Sequence, residues 1–213
     1  MTVVTTRIRI LDAAEKVFAE KGFAGASLRR IIATAGVNLA SVHYYFGSKE
    51  GLIAAVFDRR IGPLNAERLA LLDQLESKAG RRGGVKLEDL IEALIGPALR
   101  LARDPDKGGP VVLRLFGRIV AEPSEFLGRV LRDQFQGVVD RFTAALARAL
   151  PRLPRSTLLW RLEFAVGSMG HVMCDPAHIR ERSGGLCDAT DTEFVIREMV
   201  RFLAAAFRAP ARG

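Results

Sequence analysis

The chain is poor in several things that secreted, membrane-spanning and catalytic proteins depend on. It has two cysteines, Cys174 and Cys187, too few for a disulfide framework, so a reducing cytoplasm is the expected setting. No apolar run approaches the roughly 18 residues of a membrane span, because Arg or Glu interrupts each one. The opening MTVVTTRIRILDAAEK lacks both an apolar core and a small-residue cleavage site, so neither a secretion signal nor a membrane partner is expected. Histidine is scarce, and only His171, Cys174 and His178 stand close enough together to suggest a metal. Pro176 interrupts their helical spacing and a fourth ligand is lacking, so neither a metal site nor a cofactor is expected. There is no glycine-rich phosphate loop after a strand, no nucleophile elbow and no HExxH. Those absences argue against an enzyme.

What the chain does have is positive charge and helical periodicity. Its 32 Lys and Arg exceed its 24 Asp and Glu, a net charge of +8 that favours polyanions, with nucleic acid ahead of anionic membrane. Apolar residues make up 49% of its 213 residues, ample for a core. The apolar positions recur at helical spacing and strand signals are missing, so the fold class is all-α. Helices are expected at about 7–21, 27–35, 38–46, 49–75 (broken or bent at Gly62–Pro63), 87–103, 110–121, 123–149, 155–174 and 191–208, with a basic loop over 78–86.

The stretch SLRRIIATAGVNLASVHYY at 27–45 has the layout of a helix-turn-helix. Ser27 and Asn38 are N-cap types, and Gly36 suits the left-handed end of the first helix. Burying Val42 and Phe46 turns Leu39, Ala40, Ser41, His43, Tyr44 and Tyr45 outward. Leu39, Ala40 and Ser41 lie at the helix N-terminus, where a recognition helix meets base edges. His43, Tyr44 and Tyr45 suit phosphate oxygens and sugars. Lys49 adds a cation at the next helix start, while Arg29 and Arg30 open the helix before the turn. Through residue 60, nine Lys and Arg oppose five Asp and Glu.

In sequence, ILDAAEKVFAEKGF, SLRRIIATAGV and SVHYYFGSKEGL resemble the DNA-binding domain of the TetR family of bacterial transcriptional repressors. The family's aromatic-x-x-Phe-x-x-Lys run stands as His43 to Lys49, with His43 where Tyr or Asn is more usual. The resemblance implies an N-terminal three-helix DNA-binding domain over 1–52 and a C-terminal helical ligand-binding and dimerisation domain over 53–213. It implies a repressor that binds a palindromic double-stranded DNA operator as a homodimer and is released by a small-molecule effector. LFGRIVAEPSEF and the segments after it are also similar to a fatty-acid-responsive branch, which implies an apolar effector such as a fatty acid or acyl-CoA.

The residues past 60 fit those roles. In LLWRLEFAVGSMGHVMC and EFVIREMVRFLAAAF the apolar arc is too wide to bury on one side. Phe164, Gly167, Gly170, Cys174, Val195, Met199, Phe202 and Ala206 are the expected dimer interface, against the plainer reading of a thicker monomer core. Leu94, Leu113, Phe116, Phe135, Val138, Phe142 and His171 are candidate pocket residues, although Phe at helical spacing more often builds core. Two other classes fit the charge: a nonspecific nucleoid-type DNA binder, and a membrane-surface binder using the basic last helix.

Overall fold

The computed structural model describes residues 3–80, 84–174 and 176–211. These residues form ten α-helices and no strand, as the periodicity predicts. They are α1 (Val3–Gly25), α2 (Leu28–Ala35), α3 (Leu39–Phe46), α4 (Lys49–Ala79), α5 (Leu87–Arg103), α6 (Gly109–Ala121), α7 (Glu125–Ala149), α8 (Arg155–Cys174), α9 (Pro176–Arg182) and α10 (Thr192–Arg208). Among the described residues no helix is long and apolar enough to cross a membrane. Arg81, Arg82 and Gly83, the centre of the expected basic loop, lie outside the described residues.

Three elements differ from expectation. α1 starts at Val3, ahead of the expected start near residue 7. α4 runs through Pro63 as one helix, although Pro63 has no N–H to give the Arg59 carbonyl. α9 is short and buries no residue, so its sequence carries no apolar stripe to announce it.

The helices form two compact units, Met1–Pro63 with Gly108–Phe135, and Leu64–Lys107 with Gln136–Gly213. Two of the three divisions fall inside a helix, after Pro63 in α4 and after Phe135 in α7, and the third, after Lys107, lies between α5 and α6. The first unit therefore adds α6 and the start of α7 to the N-terminal helices. Its core takes Ile10, Ala14, Val17 and Phe18 from α1, Ile31 from α2, Val42 from α3, and Leu52, Val56 and Phe57 from α4. A line of rings crosses it: Phe18 to Phe23 at 5.5 Å, Phe23 to Phe57 at 5.7 Å, Phe57 to Phe116 at 6.4 Å and Phe116 to Phe135 at 6.3 Å.

Gly22 ends the regular part of α1, at φ 73° and ψ 175°, a region that side chains other than glycine's scarcely enter. Beside it, Glu122 at the end of α6 accepts the Ala24 N–H at 3.0 Å, and Arg118 donates to the Glu20 carbonyl at 2.8 Å. Thus α6 satisfies backbone groups that the end of α1 leaves over. A Cβ at position 22 would overlap the Glu122 carboxylate. Gly22→Ala is therefore expected to cost about 1–3 kcal/mol in thermal or urea unfolding. A change under about 0.5 kcal/mol would mean that the backbone relaxes freely there.

In the second unit α10 packs on α5, burying Ile196, Val200, Leu203 and Phe207 against a face that includes Leu90, Ile91, Ile95 and Leu99. Arg208 pairs with Glu88 at 2.5 Å and Arg100 with Glu193 at 2.7 Å, so the start of each helix meets the end of the other. These exposed pairs set orientation more than stability.

Candidate nucleic-acid interface

Local chemistry shapes α2 and α3. The Ser27 hydroxyl accepts the Arg30 N–H at 3.3 Å and caps α2. Gly36 ends α2 in the left-handed conformation, φ 61° and ψ 43°. Asn38 caps α3, its Oδ1 accepting both the Ser41 N–H and the Ser41 hydroxyl at 2.9 Å. Arg9 of α1 then pins the turn, its Nη2 donating to the Ala35 carbonyl at 2.5 Å and the Gly36 carbonyl at 3.1 Å. Helix ends leave such carbonyls without partners, so a guanidinium there both satisfies them and favours the dipole. A Cβ at Gly36 would meet that guanidinium at 2.7 Å.

Ile31, Ala35 and Val42 point inward and are buried. The other face of α3 is open: Leu39 is 45% and Tyr44 80% exposed, and Ala40 and His43 are exposed. Ser41 and Tyr45 are half-buried. Tyr44 meets Tyr45 edge-on at 5.0 Å, and Phe46 sits behind them with the Arg7 guanidinium 5.7 Å from its ring. Asn38 spends its oxygen on the cap, which leaves its NH2 to donate outward.

His43 behaves differently from the sequence expectation. Its Nδ1 lies 2.8 Å from the Gly47 carbonyl, which can only accept, so Nδ1 carries the hydrogen. The neutral ring then offers Nε2 as an acceptor. Donation to a phosphate oxygen, the role its residue type suggests, needs the protonated ring.

The arginines through residue 60, with Lys49, sort into two groups, while Lys16 and Lys21 are exposed on α1. Arg59 pairs with Asp12 at 2.6 Å, and Arg60 holds Glu15 through two bonds of 2.9 and 2.5 Å. Arg9 serves the turn and Arg7 lies on Phe46. Arg29 and Arg30 are exposed, Lys49 is half-buried, and none of these three side chains has an ion pair or hydrogen bond among the described residues. Their charge is uncompensated, and they flank the open face of α3 in sequence. A surface of this kind, with cations, phenols and a small residue on one short helix, can bind a phosphate backbone and approach base edges.

The remaining candidates separate. Leu113, Phe116 and Phe135 belong to the first unit and are half-buried, and the last two are part of its line of rings. Leu94, Val138 and Phe142 belong to the second unit and are buried. His171 is exposed. It lines an open depression between α8 and α10 with Gly167, Ser168, Val172, Met199 and Phe202, within the expected interface stripe. On that stripe Phe164 is 62% and Phe202 63% exposed, and Gly167 and Cys174 are exposed. Gly170, Val195 and Ala206 are half-buried, and Met199 is already buried in its own unit. Trp160, which is not among the expected interface residues, also lies on it, exposed and stacked on Phe164 at 5.8 Å.

Known proteins share these features. Residues 10–56 match the bacterial regulatory proteins of the tetR family, and residues 92–206 match the tetracyclin repressor-like C-terminal domain, which by itself covers more than half of the chain. The chain belongs to the TetR family. That family consists of transcriptional regulators and not of enzymes.

Among the relatives of this TetR-family chain, the probable HTH-type transcriptional regulator YttP of Bacillus subtilis is 44% identical over 50 residues, 24% of each chain. The HTH-type transcriptional repressor NicS of Pseudomonas putida is 38% identical over 78 residues, 36% of this chain and 37% of NicS. The chain thus matches under two fifths of the length of these relatives. Solved structures align over nearly all of it. The fatty acid degradation regulator FadR from Bacillus halodurans superposes with a TM-score of 0.64 at 17% identity, covering 96% of this chain and 97% of that one. SmeT in complex with triclosan does so with a TM-score of 0.59 at 23% identity, covering 97% and 96%. At that identity the likeness is one of fold.

Proposed function

We propose that this TetR-family chain is a ligand-responsive transcriptional repressor of the cytoplasm, binding a palindromic operator as a homodimer. The observation that carries the reading is the open face of α3, with Tyr44 80% exposed and with Arg29, Arg30 and Lys49 left unpaired. In this reading residues 1–52 bind DNA. Leu39, Ala40 and Ser41 approach bases and Arg29 reaches the groove, while Arg30, Asn38, Tyr44, Tyr45 and Lys49 hold the backbone and the His43 ring packs on the sugars. Residues 53–213 bind the effector and dimerise. The exposed apolar side chains of Trp160, Phe164 and Phe202 supply the kind of surface that a second copy would cover. A two-fold dimer would set its recognition helices roughly 34 Å or more apart.

The effector in this reading is a small apolar molecule, a fatty acid or acyl-CoA, which favours a conformation that no longer matches the half-site spacing. The FadR likeness points the same way by its name. Linkage requires operator DNA to weaken effector binding by the same factor. Equal effector affinity with and without operator would remove the mechanism.

Selecting bound fragments from sheared genomic DNA at near-physiological salt tests the function. A few recovered fragments sharing an inverted repeat would support it. Even, sequence-blind recovery would favour a nucleoid-type binder. Lys49→Ala is expected to weaken binding to all sequences alike and to flatten the salt slope by about one unit, as read by titration over a salt series. A loss of sequence preference instead would place Lys49 on a base.

A further inference from the structure

Among the described arginines of the second unit Arg68 is the buried one, although Arg103 and Arg161 also donate to backbone carbonyls. Arg100 pairs with Glu92 and Glu193, Arg141 with Asp73 and Glu76, Arg148 with Glu76, and Arg208 with Glu88, all at the surface. Arg68, on α4, is only 3% exposed. Its Nε donates to the Leu94 carbonyl of α5 at 2.8 Å. Its Nη1 donates to Asn65 Oδ1 at 3.3 Å, and its Nη2 lies 3.9 Å from Met169 Sδ of α8. Every one of these partners is neutral, and the thioether is a weak acceptor. Among the described residues no carboxylate lies within ion-pair distance of it, and the attraction of its chain neighbour Glu67 is smaller than the effect of burial.

A guanidinium has five N–H donors, and three are accounted for here. Burial lowers the Arg68 pKa to about 10, so at neutral pH the group is still a cation. A buried cation that no carboxylate touches costs several kcal/mol, and buried, perturbed charges cluster at functional sites. The second unit that holds it has an apolar core, with Leu72, Leu90, Ile95, Phe142, Leu158 and Phe207 all buried. The Thr143 hydroxyl, on α7 in this unit, is a second buried polar atom lacking a partner.

We propose that Arg68 is the seat for the carboxylate of an otherwise apolar effector, with the two unused N–H groups as its donors and Asn65 and Leu94 fixing the guanidinium. This deepens the effector reading above and rests on it. It also divides the two effector classes named there. A free fatty acid ends in one carboxylate that a single guanidinium can hold. An acyl-CoA has a neutral thioester at that place and several phosphates that one buried cation cannot serve.

The test is direct binding to the full-length protein, by calorimetry and by thermal shift, with dodecanoate, 1-dodecanol and dodecanoyl-CoA as probes. Dodecanoate is expected to bind at least about tenfold tighter than the alcohol, which has the same chain but no charge. Arg68→Met is expected to remove that ratio, and Arg68→Lys to keep part of it. The acid-to-alcohol ratio of the unaltered protein stands as a test even if a variant fails to fold. Equal binding of acid and alcohol would overturn the seat while leaving an apolar effector in place, and so would an unchanged ratio in Arg68→Met. Binding of dodecanoyl-CoA without the free acid would do the same. Binding of none of the three would overturn the apolar-effector reading along with the seat.

Discussion

Glu15→Ala is expected to destabilise the protein by roughly 3–5 kcal/mol, the loss seen when one partner of a buried ion pair is removed. Glu15 is 4% exposed and accepts both bonds of the Arg60 fork, with Arg59 a further 3.6 Å away. Truncation removes both charge-assisted bonds of the Arg60 fork beside the first unit's core. For a chain of this length the melting temperature should fall on the order of 10 °C. Glu15→Gln, which keeps an acceptor and drops the charge, should fall between the two. A loss below about 1 kcal/mol in Glu15→Ala would mean that water reaches Arg60 as it reaches an exposed pair.

Phe57→Ala should cost a similar amount, about 3–5 kcal/mol, by a different mechanism. Phe57 is 1% exposed and its ring has Phe23 on one side and Phe116 on the other. Removing it opens a cavity and breaks two ring contacts in the middle of the line, each of which adds about 0.5–1.5 kcal/mol beyond area. Urea midpoints read the effect. Phe116→Ala is the control: Phe116 is half-buried, so its loss should be clearly smaller. Equal losses would show that Phe116 is as tightly enclosed as Phe57, and would count against a role for it in lining a ligand site.

The helix-turn-helix was legible because its determinants are local. Ser27, Gly36 and Asn38 act on backbone groups within three or four residues, and the pattern of Ile31, Ala35 and Val42 repeats at helical spacing. The α8 and α10 stripe was legible for the same reason, since two facing arcs of apolar residues exceed what one core can bury. Trp160 continues the Phe164 stripe one turn earlier, ahead of the expected interface residues. The candidate pocket depends on more than local pattern. Helical spacing says that Phe116, Phe135 and Phe142 are inward, and it does not say into which unit. The structure places the first two in the first unit and the third in the second.

What the sequence determined by itself is the all-α class, the order of the helices and the outward face of α3, since caps and apolar periods act over one or two turns. Only the tertiary structure decided which cations are free. Arg60 is matched to Glu15 across 45 residues, Arg9 to the end of α2 across 26, and Arg68 to Leu94 across 26. A charge count through residue 60 weighs Arg29 and Arg60 alike. Folding neutralises one and leaves the other open, because the energy of a charge depends on the group that lies within a few ångströms of it and on how much water is left around it.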